Sequence, residues 1–144
     1  MKQLHIITPV KDSIELTLQT IESILSSDFT VPYHYCVYND FSTDENTVRL
    51  REASEKMGFE LINLSDLTDH PSPNYLLILQ AAQQKAIAAD AGLLIVESDV
   101  IVKKHTLQSL FDGALTRPDC GIAAAVTVDE QENINYPYLY AKGK

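Results

Sequence analysis

The sequence predicts a mainly parallel α/β sheet with helices on both faces, arranged as three α/β/α layers. Three observations lead there. Short apolar runs alternate with longer stretches of helical periodicity along the chain, the signature of repeated strand–helix units. The 144 residues are 45% hydrophobic and 22% charged, enough for one compact core and hardly enough for two. No internal repeat, low-complexity tract or Pro/Gly-rich linker divides the chain, so residues 1–144 are expected to form a single domain.

The elements follow in order. Leu4–Ile7 is a short strand expected to end at Thr8-Pro9. Asp12 stands three residues before Glu15, a capping-box spacing, and Ile14, Leu18, Ile21 and Leu25 then mark one face of a helix. Tyr33–Tyr38 is rich in aromatic and β-branched residues and reads as a second strand. Ser42 and Glu45 form another possible capping box, opening a helix that runs to Met57, where Gly58 supplies a left-handed residue. Phe59–Leu64 is a third strand and Ser65–Asn74, with two prolines, a loop. Tyr75–Ala89 has helix propensity throughout, and Leu93–Val96 is the clearest buried strand. Leu107, Leu110, Phe111 and Ala114 mark the inner face of another helix, and Ile122–Val128 is expected to be a fifth strand.

Charge and motifs narrow the function. A net charge of −9 with no Lys/Arg stripe excludes a nucleic-acid partner. No apolar run approaches the ~20 residues that cross a bilayer, and the start of the chain lacks the apolar stretch of a signal peptide, so a cytoplasmic location is expected. Cys36 and Cys120 lie far apart and read as small apolar residues. His5, His34, His70 and His105 share no metal-ligand spacing, and those inside strands read as structural imidazoles. The five glycines form neither GxGxxG nor GxxxxGK[ST], and no GxSxG elbow is present.

In parallel α/β sheets ligands bind beyond the carboxyl ends of the strands. The residues there are Thr8–Asp12, Asn39-Asp40 and Glu97-Ser98-Asp99. Carboxylates at that position repel a phosphate unless a divalent cation bridges them. Mn²⁺ or Mg²⁺ accepts one or two protein carboxylates and completes its shell with phosphate oxygens and water. Glu97 and Asp99 are the candidate pair. Asp12 either touches a bound ribose or caps the first helix. Lys103 and Lys104 either meet a diphosphate or form a solvated pair at a helix entrance.

Three blocks resemble the family 2 glycosyltransferases, whose GT-A fold is Rossmann-like. IITPVKDSIELTLQTIESIL is similar to their opening strand, Thr/Pro turn and helix; YHYCVYNDFSTDENT to their second strand and "DDGSTD" continuation; LLIVESDVIV to the strand carrying their D-x-D motif. The blocks keep the family's order and approximate spacing from Leu4 to Val128. The resemblance implies transfer of a sugar from a nucleotide-diphosphate sugar to a hydroxyl of a saccharide or lipid-linked acceptor, with inversion. It places Thr8, Pro9 and Val10 in the turn lining the base pocket, Asp40 at the nucleobase, Asp99 on the metal, and Glu97 where the first aspartate of D-x-D would stand. Asp12 and Ser98 fall in the same donor pocket. The departures are Lys11-Asp12 for the usual Tyr-Asn, Asn39 for the first aspartate of "DDGSTD", Phe41 for its glycine, and Glu97 for Asp.

The family sheet continues into an acceptor-binding region that supplies the general base. Here only Asp129–Lys144 follows the expected fifth strand, and VDEQENIN resembles a hairpin leading onward. The expectation is therefore a donor-binding domain truncated on its acceptor side, with no catalytic base assignable. In a longer chain it would lie at the cytosolic face of a membrane if later segments associate with one. Tyr136, Tyr138 and Tyr140 either stack on an acceptor sugar or belong to an unpaired chain end. Two other enzyme and signalling classes fit less well. A nucleotidyltransferase would carry a glycine-rich loop where TPVKDS stands, and a receiver domain would need an acidic pair after the first strand. The alternative that stays open is a non-catalytic nucleotide-binding or interaction module of degenerate glycosyltransferase origin.

Overall fold

The computed structural model describes residues 1–135. Four strands, β1 (Gln3–Val10), β2 (Tyr33–Asn39), β3 (Glu60–Asn63) and β4 (Ala91–Ile95), form one all-parallel sheet in the order β3-β2-β1-β4. The helices are α1 (Ile14–Leu25), α2 (Asp44–Met57), α3 (Tyr75–Ala88) and α4 (Thr106–Leu115). A 3-10 turn at Leu64–Asp66 follows β3. The chain divides into two compact units, 1–108 and 109–144, and the sheet with α1, α2 and α3 lies in the first.

Strand order explains the layers. The chain steps from β1 to β2 to β3 in one direction, then returns past β1 to β4. Right-handed crossovers put α1 and α2 on one face and α3 on the other. Helices α1 and α2 touch each other, while α3 packs on β1 and β4. Alternation along β1 serves both layers. Leu4, Ile6, Thr8 and Val10 share the first face, whereas Ile7 faces α3 in a cluster with Cys36, Tyr38, Leu64, Ile78 and Ala82. Ile6, Ile21, Ile24, Val37 and Leu50 are fully enclosed, each worth roughly 1.5–3 kcal/mol of transfer free energy.

Strand β1 runs on through Thr8-Pro9 to Val10 instead of ending there. Proline is tolerated because of where its missing donor would point. Odd-numbered β1 residues face β4, as the Val96 N–H donating to Ile7 O shows. The β1–β4 ladder stops at Ile7↔Ile95, so Pro9 lies past the end of its neighbour and no ladder bond is lost.

Two other expectations are corrected. The Asp12–Glu15 capping box does not form: α1 starts after Ser13, no side chain caps it, and Glu15 pairs instead with Arg49 at 2.6 Å. Helix α2 is capped by Thr43 rather than Ser42, through a bond from Asn46 N–H to Thr43 Oγ1. Its end is as expected, with Gly58 left-handed at φ 83°.

In the second unit the fifth strand is absent from the described residues. Ile122 is 90% and Val126 60% exposed, and only Val128 bridges to another residue, Ile134. β-branched residues favour a strand only where a neighbouring strand completes the ladder, and this run has none among the described residues. The expected VDEQENIN hairpin does form: Val128 and Ile134 pair antiparallel, and Asp129 Oδ1 accepts from Gln131 N–H (2.9 Å) and Asn133 N–H (2.8 Å). Tyr136, Tyr138 and Tyr140 lie outside the described residues.

Candidate functional site

Sheet order reverses between β1 and β4, and that switch point is where an open α/β sheet leaves a crevice. The carboxyl ends of β1, β2 and β4 bring together the loops at 10–13, 40–43 and 96–99. The first two loops bond each other, and the third is held by β1, Thr20 and Tyr75.

The first two loops interlock. Asp40 N–H donates to Val10 O at 2.8 Å, extending the β1–β2 ladder by one bond. Lys11 Nζ donates to Phe41 O, and Asp12 N–H to Ser42 Oγ at 2.8 Å. Asp12 Oδ1 accepts from Thr43 N–H (2.8 Å) and Asn46 Nδ2 (3.0 Å). These bonds, the Thr43 backbone first, hold the Asp12 carboxyl below its ordinary range. Asp12 therefore holds the Thr43 cap and the first turn of α2 in place, and does not cap α1. Asp12, Ser13 and Phe41 all have left-handed backbones, at φ 57°, 48° and 59°. Such strain persists only where surroundings fix it, and here it is gathered at the strand ends.

Asp40 is buried, with 6% of its surface exposed. Its Oδ2 accepts from Ser72 Oγ and from Asn74 N–H, and its Oδ1 from Asn74 Nδ2, each at 2.8 Å. Burial works to raise its pKa, but the Asn74 and Ser72 hydrogen bonds and the Lys11 charge together bring it below the ordinary value. Asn74 Nδ2 also donates to His70 O at 2.9 Å. One aspartate thus fastens the 70–74 loop and the start of α3 to the end of β2. Asn39, beside it, donates to Thr47 Oγ1 and Asn63 Oδ1, both at 2.9 Å, and accepts from Ser42 N–H at 3.2 Å.

Thr8, Pro9 and Val10 are buried. The Thr8 hydroxyl bonds Tyr35 Oη at 2.9 Å within the layer between sheet and helices. Its side chain is fully enclosed there, and its backbone lies at the end of β1.

The third loop carries the two candidate metal ligands. Glu97 and Asp99 are exposed, and Ser98 between them is half-buried. Ser98 O accepts from Thr20 Oγ1 at 2.9 Å, and Val102 N–H donates to Ser23 Oγ at 3.1 Å, so helix α1 anchors the loop from below. Tyr75, the first residue of α3, donates its hydroxyl to Glu97 Oε1 at 2.6 Å. That bond, followed by partial burial and the Glu97 charge, pushes the phenol up to about 12. Among the described residues no group of three or more His, Cys, Asp or Glu side chains converges to hold a metal. Two solvent-facing carboxylates on one loop fit a hard divalent ion that completes its shell with diphosphate oxygens and water. Lys104 pairs with Asp28 at 3.5 Å.

Sequence reasoning missed Ser72, Asn74, Tyr75 and Thr20. The first two lay in a stretch read as plain loop, and Tyr75 and Thr20 as ordinary helix positions. Only Asn74 had a signal, an Asn just before a helix, and it pointed to capping, which its side chain does not do.

Several solved structures superpose on the chain. The mannosyltransferase PcManGT from Pyrobaculum calidifontis, in complex with GDP-Man and Mn²⁺, is 18% identical with a TM-score of 0.59, over 80% of this chain and 32% of that one. TarS 1-349 from S. aureus, in complex with UDP-GlcNAc, is 20% identical with a TM-score of 0.53, over 78% of this chain and 32% of that one. Glucosyl-3-phosphoglycerate synthase from Mycobacterium tuberculosis, with Mn²⁺, UDP and glucosyl-3-phosphoglycerate, is 18% identical with a TM-score of 0.55, over 81% and 41%. The fold is that of the GT-A glycosyltransferases. The chain spans about a third to two fifths of the length of these GT-A structures. No protein-family model matches the sequence, and no curated protein does.

Proposed function

We propose that this chain is the donor-binding part of a family 2 glycosyltransferase. It binds a nucleotide-diphosphate sugar across the carboxyl ends of β1, β2 and β4, and the whole protein transfers the sugar, with inversion, to a saccharide or lipid-linked acceptor. The observation that carries this reading is the position of the Glu97–Asp99 loop at the β1/β4 switch point, anchored by Thr20 and facing solvent with both carboxylates. Glu97 and Asp99 would hold Mn²⁺ or Mg²⁺, and the ion would neutralise charge on a departing diphosphate. Against a net charge of −9, an anionic donor needs such local help. Structures of the same fold in complex with GDP-Man and Mn²⁺, or with UDP and Mn²⁺, support that assignment.

In the donor pocket, Val10, Pro9 and the Thr8 backbone would offer the wall for the base. Asp40 would serve it mainly by holding the 70–74 loop in place. A second reading, a non-catalytic nucleotide-binding module, is favoured by one feature: Asp12 and Asp40 are both taken up by internal hydrogen bonds.

Calorimetric titration with UDP and with GDP, each with and without Mn²⁺, tests the proposal. The expected result is binding of one nucleotide that requires Mn²⁺ and weakens at least about tenfold in Asp99→Ala. Binding indifferent to metal and to Asp99 would favour the second reading. A folded chain that binds neither nucleotide contradicts both.

A further inference from the structure

The Tyr75–Glu97 hydrogen bond lies at the end of a connected series of contacts. Asp40 at the end of β2 takes three hydrogen bonds from Ser72 and Asn74. Asn74, 8% exposed, is thereby fixed in backbone and side chain, and it immediately precedes α3. Tyr75 projects from the next position, so the origin of its ring is set by a buried neighbour held through both its backbone N–H and its side-chain amide. A tyrosine has only two side-chain torsions, which makes it a stiff arm once its origin is fixed. Its hydroxyl reaches across to the third loop and meets Glu97 Oε1 at 2.6 Å.

Glu97 needs such a partner. A glutamate has one more rotatable bond than the aspartate that the family resemblance expects, and this one is exposed. Carboxylates that ligate metals are ordinarily held by a second hydrogen-bonding group that fixes their orientation. Elsewhere in the loop, Thr20 holds only the backbone, through Ser98 O.

We propose that Tyr75 is a positioning residue for the metal site: its hydroxyl fixes the Glu97 carboxylate so that Oε2 is presented to the divalent ion. The proposal rests on the donor-site reading above. It also makes the Asp40–Asn74 clamp a link between the two halves of the pocket, since the residue that orders the β2 end also aims the arm that orders the β4 loop.

The test is a double-mutant cycle on Mn²⁺-dependent nucleotide affinity, with UDP and GDP as probes. Tyr75→Phe keeps the ring and is expected to leave the melting temperature unchanged. It should weaken Mn²⁺-dependent binding about 10- to 100-fold while leaving metal-free binding alone. Glu97→Gln should weaken it comparably, and adding Tyr75→Phe to Glu97→Gln should cost nothing further. Tyr75→Ala should match Tyr75→Phe, because the hydroxyl is the group that acts. An unchanged affinity in Tyr75→Phe, or full additivity with Glu97→Gln, overturns the positioning role while leaving the donor site standing. Absence of Mn²⁺-dependent binding in the parent chain overturns both together.

Discussion

The two carboxylate oxygens of Asp40 take three hydrogen bonds, two from buried Asn74 and one from half-buried Ser72. Removing a charged acceptor strands those donors, so Asp40→Ala is expected to cost about 3 kcal/mol in urea unfolding. Its lowered pKa gives a sign as well. The stability it contributes is complete above the ordinary value of 3.8 and is lost as pH falls through the lower folded value. Phe41 makes a sharper prediction. It holds φ 59° where the family pattern has glycine, and its ring packs on the cluster of Ile7, Tyr38, Leu64 and Ile78. Packing offsets roughly 1–2 kcal/mol of left-handed strain. Phe41→Gly should therefore be about 1 kcal/mol more stable than Phe41→Ala in denaturant titration, the reverse of the usual order. Equal stabilities would contradict the strain argument. The positions of Asp40, Glu97 and Asp99 were legible from the sequence because each directly follows an apolar strand. Their partners were not, since Ser72, Asn74 and Tyr75 meet them only through the fold.

Among the elements, the four strands and the helices between them were legible from their apolar runs and helical periodicity, although only β1 and the second half of β2 are buried, and β4, expected to be the clearest buried strand, is half-buried with Ile95 exposed. Boundaries were less so. The strand end assigned at Thr8-Pro9 was wrong because a proline signals a break only if its missing N–H faces a neighbour, and at Pro9 it lies past the end of β4. The strand expected at Ile122–Val128 is absent for the opposite reason: propensity is present, and among the described residues a partner strand is not. Helix α1 shows a further role invisible in periodicity, since Thr20, fully buried, donates to both Leu16 O (3.2 Å) and Ser98 O (2.9 Å). Thr20→Val keeps the shape and leaves Ser98 O unpaired. It should cost about 1–2 kcal/mol and speed amide exchange at 97–100 more than elsewhere in the sheet. Uniform exchange rates would mean that the loop is held by something else.

Across the whole first unit, the two ends of the sheet do different work. The carboxyl end gathers strained loops and solvent-facing carboxylates. The amino end holds a charge cluster in which His34 Nε2 meets Glu60 Oε2 at 2.5 Å, Lys85 Nζ lies 3.6 Å from Glu60 Oε1, and the His5 and His34 rings are 5.6 Å apart. His5 is lowered first by burial, then by His34 and Lys85. The folded state therefore resists protonating it, and stability should fall as pH drops below 6.5 through the lowered value. His5→Gln should flatten that part of the urea-midpoint profile, and a profile identical to the parent's would contradict the assignment.

We propose a metal-assisted nucleotide site at the carboxyl end of the sheet. Nitrogen-15 amide spectra of the chain with UDP or GDP, titrated with trace Mn²⁺, test it most directly, because the paramagnetic ion erases signals near its own position. The expected result is nucleotide-dependent loss centred on 97–99, weaker loss at 10–12 and 40–42, and intact signals at 33–35 and 60–62. Loss centred on any other acidic stretch, or equal loss with and without nucleotide, would contradict it.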